Sequence, residues 1–477
     1  MRRPRVPRPL LAVLGVVLVS ALAWTFAVPP LQGADESAHF SYVQKIADAH
    51  DVPWRHSEYG LLEAAFPPAV STELRTAWTW AGLEPLRGNL AARPLWTRED
   101  ERIWAAENAR LRPADRRDGI GSNVFLNPPL YYLTATVPYE IAGGTFFDRL
   151  YAMRLWSVVL LLATVVFTWL LAGVLFAGRR EAQVVAAVAV GLQPVLLDVT
   201  TRVTPDALLV PLCAAALYCM ALLALRGWSW KVVAWLVVAV IAACFTQGRA
   251  LAFVLPSLFA IGLAGWRRVH PGRLSRPVAA LAWAGGAIAV IVGIGLYGAR
   301  FSVGDVPGFW SYVWQFYLPK LPGMTTPIGP SWDVDNVYLT RLFGTFVQFE
   351  VGFPRDLLNW IRLAIWAGLA LLVVAAWRHR RGLAERRDVI VVLGVAVVLS
   401  LLSVHAAAFR SLLVNPADPV ITGRYVLMLV PLYGVAVAGA MRALPGRVRA
   451  ATTGALLAAL VLLQLSAFGL IVERFYA

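Results

Sequence analysis

Residues 151–177 read YAMRLWSVVLLLATVVFTWLLAGVLFA. Past Arg154 no charge interrupts this run, and it is longer than the roughly 20 residues that cross a bilayer's hydrocarbon core. Lipid offers the backbone no hydrogen-bond partner, so such a run must be a helix that satisfies itself. Comparable runs recur at 10–28, 184–201, 206–225, 231–247, 250–266, 277–299, 357–377, 389–408, 425–441 and 450–471. The expected fold is therefore an all-α polytopic membrane bundle of eleven transmembrane helices. Only 15% of residues are charged, against about 25% in soluble proteins, and mean hydropathy is +0.64. An independent soluble enzyme is excluded.

The net charge of +15 lies in short loops between runs: 178–180, 226–231, 267–276, 378–388 and 442–449. That is the pattern of cytoplasmic loops, not the contiguous basic face of a nucleic-acid binder. It predicts a cytoplasmic N-terminus and an extracytoplasmic C-terminus in the cell membrane. The first run follows Arg2, Arg3, Arg5 and Arg8. It is read as an uncleaved helix, although Ala21-Leu22-Ala23 resembles a processing site. The long segments 29–150 and 300–356 then lie outside, and the chain forms one transmembrane domain over 1–477. Residues 128–142 are apolar but too short to cross, which predicts a re-entrant or juxtamembrane helix. Cys213, Cys219 and Cys244 all fall inside apolar runs, offering neither a disulfide framework nor a thiolate metal site.

Residues suited to chemistry cluster on the outer side. Pro29-Pro30-Leu31-Gln32-Gly33-Ala34-Asp35-Glu36-Ser37-Ala38-His39-Phe40 follows the first span. Asp35 is placed to cap a helix, Glu36 lies in its first turn, and His39 sits one turn on, on Asp35's face. These groups suit a general base or a divalent cation; an ordinary capped interfacial helix is the plainer reading. Asp206, in Thr204-Pro205-Asp206, either caps the next helix or supplies a second carboxylate beside Asp35. Arg154, Arg249 and Arg424-Tyr425 stand at outer span ends, where the charge rule predicts few cations. They either snorkel to lipid phosphates or bind an anionic head group. Trp310 and Trp314, in FWSYVWQFY at 309–317, belong to an interfacial aromatic belt or stack on a sugar.

In this order the Asp35 box, Asn127-Pro128-Pro129-Leu130-Tyr131-Tyr132, Arg154-Leu155, Thr204-Pro205-Asp206-Ala207-Leu208 and Gly423-Arg424-Tyr425 resemble the GT-C superfamily of membrane glycosyltransferases. Within it the resemblance is nearest to the bacterial domain-of-unknown-function 2142 family. It implies a GT-C-like bundle that moves a sugar from a polyprenyl-phosphate donor to a glycan or lipid-linked acceptor of the cell envelope. It implies an outer-loop base, Asp35 or Glu36 with Asp35 preferred, and a second-loop acid, Asp206. Some such families hold a divalent cation, Mg or Mn, between these acids; by position that would involve Asp35, His39 and Asp206. Others use none. Arg249 stands where relatives often carry lysine, a departure that keeps the charge. His39, Arg154, Arg249, Arg424, Tyr425, Trp310 and Trp314 are the candidate substrate contacts.

Two other classes compete. A transporter or flippase places ionisable groups at mid-membrane, whereas these spans are almost free of internal charge. A non-catalytic envelope-assembly protein would keep cell-wall glycans unchanged after Asp35→Asn or Asp206→Asn.

Overall fold

The computed structural model describes residues 6–54, 70–86, 88–93, 97–119, 124–125, 127–269, 308–322, 333–414 and 421–477. The chain is a multi-pass, all-helical bundle. Its helices are α1 (Arg8–Ala27), α2 (Glu36–Ala49), α3 (Thr72–Trp80), α4 (Arg98–Arg110), α5 (Leu130–Ala142), α6 (Phe146–Leu175), α7 (Arg180–Gly191), α8 (Pro194–Thr200) and α9 (Asp206–Arg226). They continue with α10 (Trp230–Thr246), α11 (Val254–Val269), α12 (Phe309–Tyr317), the single turn α13 (Arg341–Phe343), α14 (Arg355–Arg378), α15 (Arg380–Glu385), α16 (Arg387–Val414), α17 (Val430–Met441) and α18 (Gly446–Tyr476).

Among the described residues, 8 helical runs are long and apolar enough to cross a membrane, and α7 with α8 forms one further, bent candidate. The seventeen-residue α10 is a shorter apolar helix. Eight of the eleven expected spans, or nine with the bent pair, are thus long and apolar enough; 231–247 corresponds to the shorter α10, and 277–299 lies outside the described residues. The short segment before α6 is a helix, α5, of 13 residues, too short to cross.

Local sequence sets the ends of these helices. Val28-Pro29-Pro30 stops α1, because the residue before a proline is pushed out of the helical region; Val28 is extended, with ψ 123°. A capping box between Thr145 and Asp148 opens α6. The 59° bend between α7 and α8 falls before Pro194, and its exposed backbone is repaired by side chains. Gln464 donates to the Leu192 carbonyl at 2.8 Å and accepts from Trp24 Nε1 at 2.9 Å. Gly434 lets α17 meet α7 closely, since a Cβ there would lie 2.5 Å from the Ala186 carbonyl oxygen.

The basic loops gather at one end of the bundle. Arg267 pairs with Asp388, Arg378 donates to the Ala443 carbonyl, and Arg386 donates to that of Leu175. The other end holds α2, α3 and α5 over α6. There Glu73, fully buried, pairs with Arg149 at 2.5 Å and Arg116 at 3.1 Å and accepts from Gln44 at 2.8 Å. This network fixes the first long segment on the bundle. The one described sheet is a hairpin of β1 (Thr345–Phe346) and β2 (Val351–Gly352) at the same end.

Candidate functional site

The end of α1 leaves carbonyls that the helix cannot satisfy. Arg154 takes them up: its guanidinium donates to Thr25 and Val28 at 2.9 Å and to Pro29 at 3.0 Å. Its remaining donors form a bidentate pair with Glu36, at 2.8 and 2.6 Å. Five bonds use all five N–H groups of the arginine. Glu36 also accepts from the Val203 backbone at 3.2 Å, and both side chains are fully buried. Burial pushes the Glu36 carboxyl up, but the field and hydrogen bonds of Arg154 override it and hold the carboxyl below its usual range. Glu36, expected as an alternative base, and Arg154, expected as a ligand cation, are instead each committed to the other, and the pair ties α1, α2 and α6 together. Arg154 therefore neither snorkels nor faces outward.

Asp35 is differently placed. It precedes α2 with φ +56°, a left-handed conformation that aspartate tolerates better than most residues. Its side chain makes no capping bond to α2, contrary to the expected cap. Instead its carboxylate accepts from Arg424 Nη2 at 3.1 Å. Arg424 Nε is buried without a hydrogen-bond partner. The Arg424 guanidinium lies 5.5 Å from the Tyr425 ring centre, and Arg249 stacks on the same ring at 4.5 Å. Arg249 in turn pairs with Asp206 at 2.5 Å. Asp206 stands in the first turn of α9 without capping it. The structure therefore joins Asp35, Arg424, Tyr425, Arg249 and Asp206 in one run of contacts, drawn from four separate parts of the chain.

His39 lies behind this run. It is buried, its Nδ1 is 3.0 Å from the Tyr132 hydroxyl, and that hydroxyl also accepts from Asn127 at 3.2 Å. Burial pulls the imidazole pKa down to about 4; the charge of Arg424 works the same way, while Asp35, Asp206 and Glu36 oppose it. The ring is therefore neutral near pH 7.

A cavity of about 280 Å³ opens beside Asp35. Asp35, Asp198, Arg341, Gln348, Arg424 and Tyr425 are its polar lining, with Phe346 and Phe349 adding aromatic walls. The hairpin turn that supplies part of this wall holds Val347, Gln348 and Phe349 at φ 48°, 55° and 70°. Such strained, non-glycine geometry costs energy and persists only where surroundings impose it. Here Asp198 imposes it by accepting from the Val347 N–H at 3.0 Å, and Gln348 donates to the Gly33 carbonyl at 3.2 Å.

Asp198, Gln348 and Arg341 were not evident from sequence. Asp198 carries a signal, an acid inside the otherwise apolar run 184–201; it pairs there with the buried Arg202 at 3.5 Å. Arg341 lies in a long loop and gave none. Of the expected contacts, His39, Asp206 and Arg249 stand beside the cavity without lining it. Trp310 and Trp314 do not line it either; they occupy the exposed face of α12, at 42% and 39% exposure. Elsewhere on α12, the buried Tyr312 and the terminal Tyr317 hydrogen-bond His405, at 3.0 and 2.8 Å.

Among the described residues no group of three or more His, Cys, Asp or Glu side chains is placed to hold a metal ion. Asp35, His39 and Asp206 do not fit one, because both carboxylates face arginines and His39 faces Tyr132.

No curated protein matches the sequence. In structure the chain is similar to ArnT from Cupriavidus metallidurans bound to undecaprenyl phosphate, with 16% identity and a TM-score of 0.41, over 92% of this chain and 60% of that one. It is also similar to the archaeal oligosaccharyltransferase AglB from Archaeoglobus fulgidus, in complex with an inhibitory peptide and a dolichol-phosphate. There identity is 12% and the TM-score 0.49, over 98% of this chain and 56% of that one. The chain thus spans little more than half the length of these two proteins. Residues 127–295 match the family model described as dolichyl-phosphate-mannose-protein mannosyltransferase.

Proposed function

We propose that the protein is a membrane glycosyltransferase of the GT-C type, moving a sugar from a polyprenyl-phosphate donor to a hydroxyl of a cell-envelope acceptor. The finer resemblance to the domain-of-unknown-function 2142 family belongs to this same reading. The observation that carries it is the pairing of Asp35 with Arg424 on one cavity wall, at the end of a bundle of apolar helices. Support also comes from the mannosyltransferase family match over 127–295, which includes the segment that holds Tyr132, Arg154, Asp206 and Arg249.

Inverting transfer at an anomeric carbon needs two opposite services. A base must take the proton of the attacking hydroxyl, and a cation must meet the charge that grows on the departing phosphate. Asp35, with its side chain 35% exposed, is the base, since it alone of the Asp35–Glu36 pair reaches the cavity. Arg424 is the phosphate ligand, since it lines the cavity beside Asp35 and its guanidinium suits phosphate oxygens. Arg341 is a second cation on the same cavity. Phe346, Phe349 and Tyr425 offer faces for a sugar ring. Arg249 and Asp206 hold Tyr425 from behind and act as positioning residues.

In this reading the basic loops and the N-terminus are cytoplasmic, and the cavity and C-terminus extracytoplasmic, where 29–150 and 300–356 receive the acceptor. The prenyl tail lies in the bilayer beside the helices while its phosphate enters at Arg424. The direct test is photo-crosslinking of purified protein with a diazirine-bearing undecaprenyl phosphate. Labelling of peptides containing Arg424 or Asp35, lost in Arg424→Gln, supports the reading; labelling elsewhere overturns it.

A further inference from the structure

A second cavity, of about 460 Å³, lies at the opposite, basic end of the bundle, between α14, α15, α16, α17 and the end of α6. Its walls are apolar: Leu175, Phe176, Leu372, Leu393, Leu432 and Val435 are representative. Two arginines join this lining, Arg386 just before α16 and Arg442 just after α17. Both stand at helix ends, so the charge is at the cavity's mouth and the hydrocarbon in its depth.

The cations at this mouth outnumber their partners. Arg442 stacks on Phe176 at 5.5 Å, and among the described residues its guanidinium donates no hydrogen bond. Burial lowers its pKa, and Arg179, Arg449 and Arg386 lower it further, with Glu181 opposing them. A narrow cleft next to the large cavity shares Arg442 and is lined also by Arg179, Glu181 and Arg449. Glu181 reaches Arg449 only at 4.0 Å. Among the described residues lining the two spaces, Glu181 is the carboxylate beside Arg179, Arg386, Arg442 and Arg449.

Cytoplasmic arginines are common in membrane proteins, and so are grooves between helices; neither alone names a ligand. Their conjunction does. A surplus of guanidinium groups matches phosphate oxygens, and an apolar space directly behind them matches an acyl chain. We propose that this cavity binds an anionic phospholipid of the adjoining leaflet, its chain in the apolar space and its phosphate on Arg442 with Arg386 and Arg179. The site is separate from the Asp35 cavity and stands whether or not the transferase reading does. Its consequence is that lipid fills the space beside the direct contact of α14 with α17, where Leu372 meets Gly439.

The test is native mass spectrometry of the full chain in detergent, titrated with phosphatidylglycerol and with phosphatidylcholine of the same chains. The expected result is preferential retention of phosphatidylglycerol. Arg442→Gln should weaken it roughly fivefold, the effect of one arginine near a membrane surface, while Arg442→Lys keeps most of it. Ala436→Phe, which fills the cavity and leaves the arginines in place, should weaken it too. Equal retention of both lipids by the wild-type protein overturns the proposal, and that comparison needs no variant to fold. So does competition by glycerol phosphate as effective as by the lipid, which would mark a free-anion site. Unchanged phosphatidylglycerol binding in Arg442→Gln and Ala436→Phe, with both variants folded, also overturns it.

Discussion

The Asp35 carboxylate accepts a hydrogen bond from Arg424 at 3.1 Å, joining residues separated by 389 positions. The neighbouring carboxylate, Glu36, points the other way into a fully buried pair with Arg154. Two adjacent acids thus divide between a cavity and a core, and the division decides which of them is available for chemistry.

Asp35→Asn removes the base while keeping the shape. Sugar transfer from a polyprenyl-phosphate donor should fall by about 10²–10⁴-fold, the usual contribution of a positioned base, at unchanged expression and melting temperature. Asp206→Asn should act through Arg249 and Tyr425, raising KM more than it lowers kcat. Equal losses in kcat for the two variants would remove the distinction drawn between base and positioning residue.

Arg424→Gln should reduce kcat/KM by roughly 10²–10³-fold, as loss of a charge-stabilising donor does. Arg424→Lys should recover only part, because an ammonium keeps the charge but loses the planar fork. Full recovery with lysine, measured as affinity for undecaprenyl phosphate, would argue against a multi-donor phosphate contact.

Glu36→Gln leaves a buried arginine without its counter-charge, a change that costs about 3–5 kcal/mol. Arg154→Met should cost more, since it also orphans the carbonyls of Thr25, Val28 and Pro29, each worth about 1–3 kcal/mol when left unpaired. Thermal unfolding in detergent gives the ordering; a milder effect for Arg154→Met would show that the carbonyls find other partners.

His39 gives stability a pH dependence. Its folded pKa is about 4, and an unfolded histidine titrates near 6.5. Between these values the unfolded chain binds more protons, so stability falls as pH drops from about 6.5 through about 4. The shift corresponds to roughly 3 kcal/mol. Melting curves from pH 7 to 4 should be flatter in His39→Gln than in the wild-type protein; parallel curves would refute the assignment.

The sequence by itself determined the helical bundle, the places of its spans and the side on which the polar residues gather. Those are local matters: the length of an apolar run, the absence of charge, a proline at a helix end, arginines in short loops. It also picked out Asp35, Arg424, Tyr425, Arg249 and Asp206, the residues that the structure links in one run of contacts. Tertiary structure alone decided between Asp35 and Glu36, because Asp35 stands before α2 in a left-handed conformation while Glu36 opens the helix, so the two side chains leave toward different surroundings. It alone brought Arg341 and the Val347–Phe349 turn to the cavity, since a loop arginine carries no mark of what it faces. It also set Arg154 apart from Arg424: both are arginines at the ends of spans, and only their surroundings tell a tie in the core from a cation on a cavity wall.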